Sequence, residues 1–172
     1  MNEGEMSTAL ALKGIPNLSE EITVNRDLYL AEYAESPVHF ASISTAGGIE
    51  LIRKAKAQGA PVTCSVNLYN LVLTDDVLTT YDTRYKVLPP IRAEHDRSAL
   101  LDGLKDGTID AISIDHVPQD IELKKCEFEN AVFGMRGLET AFGVYCKYLS
   151  KEINLEKWVD LICHNPRKIL DA

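Results

Sequence analysis

Few side chains in this sequence are placed to do chemistry, and most of them stand alone. The histidines are His39, His95, His116 and His164. No two fall into H-x-H or H-E-x-x-H, the spacings that bring two imidazoles onto one metal ion. Asp115-His116 is the sharpest pair, because it follows the apolar run from Ile109 to Ile114. A carboxylate delivered at the mouth of a buried strand can ligate a metal or serve as a general base. The plainer alternative is a carboxylate bonded to nearby backbone, with His116 in a turn. Ser42 and Ser44-Thr45, then Asn67, Tyr69 and Asn70, then Gln119 hold comparable places after apolar runs. His39 lies within an apolar run and reads as a satisfied core residue. His95, between Glu94 and Asp96, reads as solvated, and His164 as a helix-end imidazole whose positive form suits the dipole. Ser42, His116 and Asp115 can be drawn as a hydrolytic triad. There is no G-x-S-x-G elbow, however, and an adjacent Asp and His do not stack in the required order. Neither G-x-G-x-x-G nor a Walker sequence occurs, so nucleotide binding has no local support.

The elements that carry these positions alternate. Residues 1–18 hold Gly4, Gly14 and Pro16 and read as irregular. A helix is predicted over 19–35 from the acidic first turn after Ser19. A strand follows over 38–43, a helix over 47–58 closed by Gly59, and a strand over 62–66. Residues 71–80 read as a loop with one helical turn, and Pro89-Pro90 as extended chain. A helix over 94–105 ends at Gly107 and leads to a strand over 109–114. The stretch 116–135 is too long for an ordinary connection and reads as a functional loop or the relic of one. Helices over 136–149 and 154–163 close the chain, the second broken by Asn165-Pro166.

Alternation of this kind implies parallel strands with crossover helices. The strands read as continuously apolar, as expected for strands buried on both faces. An open doubly wound sheet and a segment of a TIM barrel both fit. Three strands are few for either, since a barrel needs eight and an open three-stranded sheet has two bare edges. The chain should therefore be part of something larger, or be completed by a partner or by copies of itself.

Composition narrows the function classes. The chain has 172 residues, 45% of them hydrophobic, enough for about one domain with a packed core. Its net charge is −8 and no basic stripe appears, which argues against nucleic acid. No apolar run approaches the roughly 20 residues of a membrane span. The start of the sequence is acidic where a signal peptide is basic. Cys64, Cys126, Cys146 and Cys163 match no zinc-finger spacing and read as reduced thiols. The expectation is a soluble, cytoplasmic protein.

Longer words in the sequence resemble the dihydroorotases of the amidohydrolase superfamily. Met1-Asn2-Glu3-Gly4-Glu5 with Gly14-Ile15-Pro16 is similar to a segment between two of their barrel strands, and Arg26-Asp27 fits the helix after it. Ile43-Ser44-Thr45, Glu50-Leu51-Ile52 and Ala55-Lys56 resemble the next unit. Pro89-Pro90-Ile91-Arg92 resembles N-P-P-L-R, and Leu104 through Ile112 is close to the family's wording. Asp115-His116 with Pro118 fits D-H-A-P-H, and Phe133-Gly134 with Gly137-Leu138-Glu139-Thr140 completes the match.

The resemblance implies the C-terminal part of a zinc-dependent TIM-barrel cyclic amidase that interconverts carbamoyl aspartate and dihydroorotate in pyrimidine biosynthesis. Residues 1–172 would supply the last three or so strands, with the upstream strands and a β-sandwich absent. It also implies that Asp115 is the surviving metal ligand and catalytic group, and that Phe133 and Gly134 are backbone substrate contacts. Ser42 stands where the family has a zinc histidine. Leu88 and Gln119 replace a substrate-binding asparagine and histidine, and Ser65 through Asn70 replaces E-V-T-P-H-H. Scaffold words are kept while chemical words are replaced. The resemblance thus implies no cofactor for this chain alone, although the family uses zinc. It also implies a structural role, with aspartate carbamoyltransferase as a partner to test. The rival expectation is a working cyclic amidohydrolase, completed by the missing upstream half, with Asp115 as proton shuttle.

Overall fold

The computed structural model describes residues 1–171. Three parallel strands form one sheet in the order β1-β2-β3: β1 is Val38–Phe40, β2 is Val62–Asn67 and β3 is Ala111–Ser113. Helices α1 (Glu5–Ala9) and α2 (Asn17–Tyr33) precede β1, α3 (Ala46–Ala57) joins β1 to β2, and α4 (Leu68–Val72) and α5 (Glu94–Asp106) join β2 to β3. This is α/β architecture of the kind that makes up part of a TIM barrel.

The local reasons are ordinary. Thr45 caps α3 by accepting a bond from the Gly48 amide at 3.0 Å. Gly107 ends α5 at φ 84°, the left-handed conformation that glycine adopts without a Cβ penalty. Val62, Cys64 and Val66 point from β2 toward the helices, where Ile49, Ile52, Leu100, Leu104 and Trp158 close over them. Each fully buried aliphatic side chain of this set contributes about 1.5–3 kcal/mol.

The structure corrects several expectations. The strands are not apolar on both faces. In register, His39 pairs with Thr63 and Asn67 with Ser113, so the face away from the helices is polar. His39 is consequently exposed rather than a core residue, and its ring nitrogens bond Thr63 Oγ1 at 2.8 Å and Ser65 Oγ at 3.3 Å. Burial of part of that ring moves its pKa downward. The strands β1 and β3 are also shorter than the apolar runs that suggested them.

Residues 1–18 are not irregular. Helix α1 sits between Asn2 and Ile15, which form a parallel bridge, and Met1 is buried against Leu78 and Phe128. Contacts distant in sequence fix this segment, so its breakers alone misled. Residues 71–80 lie at the end of α4 and in a 3₁₀ segment, Asp75–Thr80. The loop after β3 carries a short helix, α6 (Ile121–Lys124), and returns to a bridge between His116 and Met135.

Asn165-Pro166 does not break the last helix. Helix α8 (Leu155–Val159) passes through a π-turn, Asp160–His164, into α9 (Asn165–Ile169). The proline ring collides with the carbonyl four residues back in an α-turn, and the wider π-turn relieves this. His164 is therefore not at a helix end. Its Nδ1 lies 3.1 Å from Asp160 Oδ1 on the exposed side. The helix expected over 136–149 begins later, with a 3₁₀ turn at Leu138–Thr140, then α7 (Ala141–Val144) and a second π-turn, Tyr145–Leu149.

Candidate functional site at the strand mouth

The C-terminal ends of the three strands bring four of the sequence-predicted positions together. Ser42, just beyond β1, has φ 60°, and Asp115, just beyond β3, has φ 48°. Both are left-handed and neither is glycine, a conformation that costs about 1–3 kcal/mol and survives only where the surroundings enforce it. Asn67 ends β2 and Tyr69 opens α4 directly after it.

These side chains form one hydrogen-bonded chain. Ser42 Oγ donates to Asn67 Oδ1 at 2.8 Å. Asn67 Nδ2 donates to Tyr69 Oη at 2.7 Å and to Asp115 Oδ2 at 3.3 Å. Tyr69 Oη donates to Asp115 Oδ2 at 2.9 Å. The Asp115 amide donates to Ser113 Oγ at 3.1 Å. Asn67 is fully buried and Tyr69 nearly so. Burial, followed by the neighbouring Asp115 charge, pushes the Tyr69 phenol well above its usual range, so it stays neutral and donates. The mouth thus holds one carboxylate whose neighbours are neutral donors already committed to it.

The remaining positions lie outside this chain. His116 is exposed, and its Nδ1 accepts from the amides of Gly137 and Leu138, both at 3.2 Å. With Ser42 bonded to Asn67 and His116 to backbone, no Ser42–His116–Asp115 triad forms. Gln119 Nε2 donates to Phe133 O at 3.0 Å. The Gly134 amide donates to Lys86 O at 2.9 Å, with Gly134 at φ 136°. The Phe133 carbonyl and the Gly134 amide are therefore engaged within the protein. The Leu88 side chain is exposed.

Zinc does not suit this donor set. It takes imidazole, thiolate or carboxylate donors, four in a structural site or three plus water in a catalytic one. Here a single carboxylate is joined by a hydroxyl, a carboxamide and a phenol. Among the described residues no three His, Cys, Asp or Glu side chains converge on a common point.

A second polar group was not anticipated from the sequence. Arg92, 2% exposed, donates through Nε to Ser44 Oγ at 3.0 Å and through a terminal nitrogen to Ile15 O at 2.7 Å and Asn2 Oδ1 at 3.2 Å. Glu20 accepts from the amides of Ser44 and Thr45, both at 2.9 Å, and lies 3.8 Å from Arg92. Asp96, 1% exposed, accepts from the Ala46 amide at 2.9 Å and from Asn17 at 3.0 Å. Asn2, Ser44, Thr45 and Arg92 belong to the words that carried the family resemblance. A structural role for those words was the available signal.

No family model matches the chain. Among solved structures, L-hydantoinase (dihydropyrimidinase) from Arthrobacter aurescens superposes with TM-score 0.82 at 27% identity, over 88% of this chain and 35% of that one. The inactive dihydroorotase-like domain of the Chaetomium thermophilum CAD-like multifunctional protein superposes with TM-score 0.62 at 23% identity, over 84% of this chain and 40% of that one. The fold is that of an amidohydrolase-type barrel segment. In sequence the chain is 45% identical to the dihydroorotase of Thermoanaerobacter sp. (strain X514) over 99% of its own length. It belongs to the dihydroorotase family. It spans 40% of the length of that relative.

Proposed function

We propose that this chain is a non-catalytic dihydroorotase-family barrel segment with a structural role. The observation that carries this reading is the closed chain Ser42–Asn67–Tyr69–Asp115 at the strand mouth. Where a metal centre would need several anionic or imidazole donors, it offers one carboxylate held by a neutral phenol. One such group cannot generate a metal-bound nucleophile by itself. The Chaetomium domain shares the fold and is described as inactive, so the architecture is compatible with loss of activity. The partner that fits this reading is aspartate carbamoyltransferase in the cytoplasm, with the upstream strands of the barrel covering the bare sheet edges. No helix is long and apolar enough to cross a membrane among the described residues.

One observation favours the rival reading of a working cyclic amidohydrolase completed upstream. Asp115 keeps a strained backbone at the strand end, as functional residues often do. Metal analysis separates the two. The structural reading expects sub-stoichiometric zinc in the purified protein and co-elution with the transferase at micromolar concentration. Stoichiometric zinc, together with dihydroorotate turnover that is lost in Asp115→Ala, would overturn it.

A further inference from the structure

The mouth has two lips. One is the segment through Lys86, Leu88 and Pro89, whose carbonyl at Pro89 lies 3.4 Å from Tyr69 Oη. The other is the loop 116–135, which carries Gln119, Phe133 and Gly134. Two lysines cross between them in opposite directions. Lys86 reaches from the first lip and donates to the carbonyls of Phe128 at 2.9 Å and Glu129 at 2.8 Å. Its ammonium also lies 5.5 Å from the Phe128 ring centroid and 5.1 Å from that of Phe133. Lys124 reaches back from the loop and donates to Thr83 O at 3.0 Å, Lys86 O at 3.3 Å and Val132 O at 2.8 Å. An ammonium has three N–H donors, and Lys124 spends two on carbonyls of the first lip, Thr83 and Lys86, and one on Val132 of its own loop.

We propose that Lys86 and Lys124 form a reciprocal clasp that holds the loop 116–135 across the strand mouth as a single opening unit. The backbone pattern supports one unit rather than several. The Val117 amide bonds Met135 O at 2.9 Å, the Val132 amide bonds Leu123 O at 3.3 Å and the Gly134 amide bonds Lys86 O at 2.9 Å. Gly134 is seated with no room to spare, since a Cβ there would come within 2.5 Å of Val117 O. Burial lowers the pKa of both lysines, and for Lys124 the charge of Lys86 adds to it. Both ammonium groups are thus held in place by their carbonyl acceptors against mutual repulsion. The assignment rests on this geometry and is independent of whether the mouth is catalytic. Lys86 and Lys124 are positioning residues: they set the spacing of the lips that carry Leu88, Gln119, Phe133 and Gly134.

Hydrogen exchange of the intact chain tests it. In the wild type the amides of Val117, Val132 and Gly134 should share one opening equilibrium. Lys124→Met and Lys86→Met should each speed their exchange by about tenfold or more, as expected when a local unit loses its fastening. The amides of Val66 in β2 and Leu104 in α5 should stay within about twofold of wild type under the same local-opening picture. The double variant should add little to either single one. Unrelated protection at the three amides in the wild type overturns the clasp with no variant needed. Unchanged exchange in either variant overturns it too, as does a loss of protection spread equally into β2 and α5.

Discussion

Two polar clusters sit near the C-terminal end of the same sheet and are built on opposite logic. The cluster around Arg92 brings full charges into the interior and satisfies them: guanidinium, Glu20 and Asp96 are each bonded to backbone from other segments. It joins the residue 1–15 segment, the start of α3 and the start of α5. The cluster around Asp115 holds one charge, uses neutral donors and ends on two residues in left-handed backbone. The first cluster is what the fold needs in order to close. The second sits at the strand ends and holds Ser42 and Asp115 in left-handed backbone around a single carboxylate. Five residues of the words that resemble the dihydroorotases, Asn2, Ile15, Ser44, Thr45 and Arg92, meet in the first cluster.

Breaking the first cluster should give the largest effect. Arg92→Met removes the cation beside Glu20 and leaves Ser44, Asn2 and Ile15 O without their donor. Removing one partner of a buried charge pair costs about 3–5 kcal/mol. Because the Glu20–Arg92 contact is 3.8 Å, the lower end of that range is expected. Urea denaturation at neutral pH measures the loss. A change below about 1 kcal/mol, the size of an exposed ion pair, would erase the contrast between the clusters.

Raising the pH compares the helix-facing side of β2 with the mouth in one titration. Cys64 is fully buried, and burial pushes its thiol up to about 12, with the Asp110 charge adding. The folded form keeps its proton while the unfolded thiol ionises from about pH 9, so stability is complete below that pH and declines toward pH 12. The loss at pH 10 is about 1 kcal/mol. The Tyr69 phenol is raised for the same reason and adds to the decline only above about pH 10, where a free phenol ionises. Cys64→Ala should flatten the first part of the curve and Tyr69→Phe only the second. A curve unchanged by Tyr69→Phe would mean that the mouth is wetter than its hydrogen bonds imply.

The order of helices and strands was legible because each element carries its own local signal. Glu20 marks the first turn of a helix that begins two residues before the expected Ser19, at Asn17 after Pro16, Gly59 and Gly107 follow the ends of two others, and Val62 to Val66 is strand-like in composition. What the sequence hid depends on distant partners. Helix α1 is fixed by Asn2 meeting Ile15 and by Met1 packing on Leu78 and Phe128. Pro166 is tolerated because a π-turn precedes it, and no single residue announces that turn. At the mouth, spacing after the apolar runs marked Ser42, Asn67, Tyr69 and Asp115 but could not show that they bond to one another. Arg92 was marked only as part of a family-like word, and Lys86 and Lys124 went unmarked, because a charged residue in a loop does not itself show that it will find carbonyls from other segments.

The finest comparison lies in the backbone strain at the mouth. Ser42→Gly releases a non-glycine residue from φ 60°, worth about 1–2 kcal/mol. It also deletes the bond to Asn67 Oδ1, and leaving that buried acceptor unpaired costs about 1–3 kcal/mol. The two changes oppose each other, so the net effect should stay within about 1 kcal/mol of zero. Asp115→Asn should be equally mild, because asparagine tolerates the left-handed region and its Oδ1 still accepts from Tyr69. Denaturation midpoints of the two variants decide it. If either loses more than about 2 kcal/mol, the mouth contributes to stability as the Arg92 cluster does. Its strain would then be part of the fold's construction.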